Sequence, residues 1–158
     1  MGPEPTHEWT TTTWLNTPEP LRLDRLRGRV VLVYAFQMLC PGCVAHGLPQ
    51  AQRVAELFKN APLTVVGLHT VFEHHEAMRP ASLAAFLHEW RIRFPVGVDA
   101  PSEDAHDPVP QTMRAYALQG TPSLLLIDRL GHLRRHGFGA EDDLSIGAAV
   151  ATLLSERD

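Results

Sequence analysis

The chain has 158 residues, 44% of them apolar, and a formal net charge of -4 at pH 7. That length supports one core in a single domain spanning 1–158 and leaves no chain for a second. The acidic balance excludes a basic field for nucleic acid, and no run approaches the roughly 18–20 apolar residues of a membrane helix, so neither partner is expected. The opening MGPEPTHEWTTTTWL lacks the charged-then-apolar plan of a secretory leader. The expected location is therefore the cytoplasm, or the periplasm if an export signal was removed.

Residues 1–28 are polar and punctuated by Pro3, Pro5, Pro18, Pro20 and Gly28. They suit an irregular or edge-strand lead-in anchored by Trp9 and Trp14. Arg29–Phe36 (RVVLVYAF) reads as a strand buried on both faces. From Pro41 to about Asn60, Val44, Leu48, Ala51, Ala55 and Phe58 recur at helical spacing, and Pro49 predicts a kink inside that helix. Leu63–Leu68 is a second buried strand. A loop carrying His69, Glu73, His74, His75 and Glu76 leads to a helix from Pro80 to about Arg91, with Leu83, Phe86, Leu87 and Trp90 inward.

Phe94–Val98 is a short third strand. Asp99–Pro110 (DAPSEDAHDPVP) is an acidic loop, too polar for core, before a brief helix at Gln111–Tyr116. Ser123–Asp128 and Leu133–Phe138 form a hairpin around Arg129–His132. A last helix near Glu141–Glu156 buries Leu144, Ile146, Val150 and Leu153 or Leu154. Strand–helix alternation closing in a hairpin and helix predicts an α/β fold with a central mixed sheet flanked by helices.

The only cysteines are Cys40 and Cys43, in Cys40-Pro41-Gly42-Cys43. A disulfide across so short a segment closes almost no loop and stabilises little, so the pair reads as chemistry rather than a staple. Cysteines at i and i+3 on a first helical turn have Cα atoms roughly 5–6 Å apart, within disulfide reach. The first sits at unpaired amide N–H groups and a positive helix end, which favours a thiolate. Cys40 is the expected attacker and Cys43 the resolving thiol. Pro41 suits a first helical turn, and Gly42 leaves room for a partner chain.

With Leu26–Leu32 (LRGRVVL) leading into the strand, then the dithiol, then Gly120-Thr121-Pro122, the sequence resembles the thioredoxin superfamily. It is most similar to the redoxin branch, the TlpA-type thiol–disulfide oxidoreductases, from about Trp14 to Leu154. The resemblance implies a thioredoxin-like fold with an N-terminal extension and a redoxin-type insertion after the second core strand. It implies a cis Pro122 packed beside the dithiol, Thr121 offering backbone groups to a substrate peptide, and no cofactor. Where thioredoxins carry a buried carboxylate for proton transfer this chain has Tyr34, and Glu73 in the insertion is the expected substitute. Expected partners are protein or small-molecule disulfides and thiols, with net reduction, by a monomer or weak homodimer.

Two other readings stay open. The spacing of Pro49 from Cys43 is similar to that in peroxiredoxins, which would make Cys43 the peroxide-attacking thiol and Cys40 its resolver. The upstream residues of that family are missing here, as is an arginine near Thr121-Pro122. Cys40, Cys43 and His46 also form a C-x2-C-x2-H array to which His74 and His75 could add copper or zinc ligands, although no metal site is the expectation.

Overall fold

A computed structural model describes residues 4–157; residues 1–3 of the lead-in and Asp158 lie outside the described residues. The strands are β1 (Glu4–Pro5), β2 (Thr11–Leu15), β3 (Val30–Phe36), β4 (Leu63–His69), β5 (Val96–Asp99), β6 (Ser123–Ile127) and β7 (His132–Phe138). The α-helices are α1 (Leu48–Leu57), α2 (Pro80–Glu89), α3 (Gln111–Ala115) and α4 (Asp143–Ser155). One mixed sheet runs β1-β7-β6-β3-β4-β5-β2. β3, β4 and β5 are parallel neighbours, while β6 and β7 return antiparallel.

β3 is central and every residue of it is buried. Alternate side chains face opposite sides of the sheet, so the strand feeds two cores. Val30, Leu32, Tyr34 and Phe36 pack with Leu48, Ala51 and Val54 of α1, Leu83 and Leu87 of α2, and Ile146, Val150 and Leu153 of α4. Val31, Val33 and Ala35 pack with Trp9, Leu23, Met113, Tyr116 and Leu118. The lead-in therefore does more than trim an edge. It supplies both outer strands, β1 beside β7 and β2 beside β5, and Trp9 closes the second core.

The expected kink at Pro49 takes the form of a π-helical turn over Cys43–Gly47, closed by Leu48 N–H donating to Cys43 O. Pro49 follows that turn directly, so the widened π register, rather than a helix start, accommodates its missing N–H. Three expectations are corrected. Trp90 is not inward: α2 ends at Glu89, Trp90 is 55% exposed, and Met78 and Ile92 fill the core instead. Leu144 is 82% exposed because it lies on the outer side of α4, opposite Ile146, Val150 and Leu153. The acidic loop starts inside the protein. Buried Asp99 accepts from Thr112 N–H (2.8 Å), Met113 N–H (2.9 Å) and the Thr70 hydroxyl (2.9 Å), and so caps α3 across the loop. Burial raises its pKa, and those donors oppose the rise.

Candidate functional site

The dithiol lies where β3 ends. Cys40 N–H donates to Gln37 O (3.0 Å), closing a turn, and Cys40 O accepts the first helical bond from Val44 N–H (3.1 Å). Cys40 is thus the cap of a helix that starts at Pro41. Its sulfur performs the capping: Cys43 N–H points at Cys40 Sγ (3.3 Å). Both cysteines are free thiols, Cys40 half-buried and Cys43 fully buried.

This difference in exposure separates them chemically. Burial pushes the Cys43 thiol up to about 12, with the Cys40 side chain adding to the rise; backbone hydrogen bonding at Gln37 and the Thr121 side chain act against it. Cys43 is held as a protonated thiol at neutral pH. Cys40 Sγ faces Thr121 O at 3.5 Å.

The Thr121–Pro122 peptide bond is cis, as the resemblance implied. Pro122 lies on the helical segment so closely that a Cβ at Gly42 would come within 3.3 Å of Pro122 Cδ, and one at Gly47 within 3.0 Å of Pro122 Cβ. The space Gly42 leaves is therefore turned toward the protein's own Pro122. Gly47, which the sequence reading did not single out, has the tighter approach. Its only sequence signal was a glycine one turn beyond Cys43.

In front of Cys40 is an open cavity of about 490 Å³ lined by Leu39, Pro41, Glu73, Thr121 and Phe138, among others. Leu39 and Phe138 are each 55% exposed. Among the described residues no lysine or arginine lines it, and Glu73 is the one carboxylate that does. Glu73 is exposed on the rim, with Oε1 accepting from Gln37 Nε2 (3.4 Å). Tyr34, by contrast, offers no acid: its hydroxyl donates to Gln50 Oε1 (2.7 Å), and burial raises its pKa.

Two polar residues that the sequence reading passed over hold this end of the sheet. Gln37 is buried, and its Oε1 accepts from Phe72 N–H (3.1 Å). His69, read as loop, is the buried last residue of β4, and its Nε2 accepts from Met38 N–H (3.2 Å). Burial lowers its pKa to about 4, so the ring is neutral. The available signal was that both residues end apolar strand runs, at adjacent register positions (Phe36 opposite His69).

The possible metal ligands stay apart. His46 is exposed, His74 lines the cavity, and His75 Nε2 bonds Pro108 O (3.1 Å). Among the described residues no group of three or more His, Cys, Asp or Glu side chains could hold a metal ion.

No family model matches the chain. Among solved structures, a thioredoxin-like superfamily protein shares 55% sequence identity over 97% of both chains, with a TM-score of 0.93. A thiol-disulfide isomerase from Corynebacterium glutamicum shares 47% identity over 97% of both chains, with a TM-score of 0.91. The chain belongs to the thioredoxin-like superfamily. Within the superfamily it stands among the thiol–disulfide oxidoreductases. The protein DipZ of Mycobacterium bovis is 29% identical over 147 residues, which are 92% of this chain and 20% of DipZ. The chain thus spans a fifth of that curated relative. Like the expected thioredoxin-like architecture, this superfamily member has a mixed sheet flanked by helices, and no helix among its described residues is long and apolar enough to cross a membrane.

Proposed function

We propose that this chain exchanges two electrons with a protein or small-molecule disulfide through Cys40 and Cys43. The observation that carries the reading is the asymmetry of the pair: Cys40 Sγ opens on the cavity and receives the Cys43 N–H, while Cys43 is 0% exposed and held protonated. Cys40 thiolate attacks one sulfur of the disulfide and expels the other as a thiolate, leaving a mixed disulfide on Cys40. Cys43 gives up its proton and attacks Cys40 Sγ, expelling the second thiolate and closing the Cys40–Cys43 bridge. Glu73, on the rim of the same cavity, receives that proton. Pro41 and Thr121 line the cavity and position the partner, with Thr121 presenting backbone groups beside Cys40, while Gly42 lets Pro122 pack against the helical segment behind them. Leu39 and Phe138 offer exposed apolar surface in the same cavity as the attacking sulfur.

The peroxidase order, with Cys43 first, has the burial of Cys43 against it. A peroxide would need a reachable thiolate there, and no arginine lines the cavity to activate it. The test compares insulin-disulfide reduction and peroxide turnover in wild type, Cys40→Ser and Cys43→Ser. Insulin reduction is expected to vanish in both variants, and Cys43→Ser to accumulate a mixed disulfide detectable by intact mass. Peroxide consumption that survives Cys40→Ser and dies in Cys43→Ser, without disulfide exchange, would overturn the assignment.

A further inference from the structure

We infer that Gln37 is the positioning residue that couples the Glu73 loop to the dithiol turn. The inference rests on the reading of Glu73 given above and extends it to a residue that never meets the substrate.

Gln37 is the first residue after β3 and is 1% exposed. Its backbone serves the dithiol turn: Gln37 O accepts from Cys40 N–H (3.0 Å). Its side chain serves the acidic loop, with Oε1 taking the Phe72 N–H (3.1 Å) and Nε2 donating to Glu73 Oε1 (3.4 Å). Three of its hydrogen-bonding groups therefore join segments 35 or 36 residues apart in the chain to a turn three residues ahead. Glu73 itself is exposed on a loop and has no other hydrogen-bond partner among the described residues. Without the Gln37 amide, its carboxylate samples the solvent side of the rim as freely as the cavity, and a base that is out of place cannot take a proton in the transition state.

The step affected is the second one. Cys43–SH passes its proton to the Glu73 carboxylate; the Cys43 thiolate attacks Cys40 Sγ; the bond from Cys40 to the partner sulfur breaks, and its electron pair leaves with the partner thiolate. The dithiol loses two electrons and the disulfide gains them. The first step, attack by Cys40, requires neither Gln37 nor Glu73.

The test uses dithiodipyridine, an uncharged disulfide that releases one coloured thiopyridone on attack by Cys40 and a second on resolution by Cys43. Stopped-flow traces then read the two steps separately in Gln37→Met, Gln37→Glu, Glu73→Gln and the Gln37→Met/Glu73→Gln double variant. The first release is expected within about twofold of wild type in Gln37→Met, Glu73→Gln and the double variant, and slower in Gln37→Glu, whose added carboxylate disfavours the thiolate. The second release, taken relative to the first, is expected to slow roughly tenfold in each single variant. The double variant should be no slower than the slower single one, because both changes remove the same placed base. Gln37→Glu is the discriminating variant. It keeps an acceptor for Phe72 N–H and loses the donor to Glu73; with the effect of its added charge read from the first release, a brace for the loop would leave the second-to-first ratio at the wild-type value, whereas a positioning residue lowers it as in Gln37→Met. A wild-type ratio of second to first release in Gln37→Glu, or multiplied effects in the double variant, would overturn the inference while leaving the role of Glu73 intact. A silent Glu73→Gln would overturn both. A first release that persists in Cys40→Ser would remove the dithiol reading beneath them.

Discussion

The turn before the dithiol and the hairpin turn between β6 and β7 are both held by buried side chains that bind backbone N–H groups, yet they use opposite chemistry. At the hairpin, Asp128 accepts from Leu130 N–H (3.0 Å) and His132 N–H (2.9 Å) and is met by the Arg134 guanidinium (3.2 Å). Burial works against that carboxylate, but the His132 N–H and Arg134 more than offset it and hold its pKa below the ordinary value. At the dithiol turn the anchors are neutral: the Gln37 amide and the unprotonated His69 ring. A fixed full charge buried beside a sulfur would bias its thiolate in both the reduced and mixed-disulfide states. Dipolar anchors shape the turn without that bias. A structural turn tolerates an ion pair that a redox turn does not use.

The largest expected effect tests the neutral anchor. Folded His69 titrates near 4 against an ordinary 6.5, so between these values the unfolded chain binds the extra proton. Its contribution is present above pH 6.5 and is lost as pH falls toward 4, on the order of 3 kcal/mol in all. Urea unfolding at pH 7.5 and 4.5 should show His69→Gln losing less stability on acidification than wild type. Equal losses would mean that His69 does not set this acid response.

The charged anchor should respond in stability alone. Asp128→Ala removes the acceptor of two N–H groups and the partner of Arg134, which costs about 2 kcal/mol. Urea unfolding should register that loss, while thiopyridone release stays at the wild-type rate. A parallel fall in exchange rate would show that the two ends of the sheet are not independent.

The smallest pair compares one glycine from each region. In Gly131→Ala a residue with φ of 86° acquires a Cβ that also pushes the Arg27 guanidinium aside, at a cost of about 1 kcal/mol or more and with exchange unchanged. Gly47→Ala places a Cβ 3.0 Å from Pro122 Cβ, costs a similar ~1 kcal/mol and slows exchange, because Pro122 must move off the dithiol. If Gly47→Ala exchanges as fast as wild type, close packing of Pro122 on the helix is not needed for the chemistry.

Much of this was legible in advance. β3, β4 and β6 are apolar runs whose composition already requires burial on both faces, and the hairpin was marked by Arg129-Leu130-Gly131-His132. The errors fell where the helical period leaves a choice of face. Leu144 and Trp90 fit an inward stripe by spacing alone, but Leu144 falls on the side of α4 opposite Ile146, Val150 and Leu153, and Trp90 lies past the end of α2. Asp99 was misread because polarity argues against burial only when no donors await it, and its donors on α3 lie 13 and 14 residues further on.

The sequence by itself determined the dithiol and its place at a helix start, since the reach between i and i+3 and the free N–H groups of a first turn are local properties. It could not determine which sulfur meets solvent. Cys43 is buried by packing from distant parts of the chain, and Thr121, which faces Cys40 Sγ, is 81 residues away from it. Nor could it show that Gln37 links the dithiol turn to Glu73, or that His69 pins Met38. Those bonds exist because β3 and β4 end side by side in a parallel register, and pairing between strands is a property of the sheet rather than of either strand.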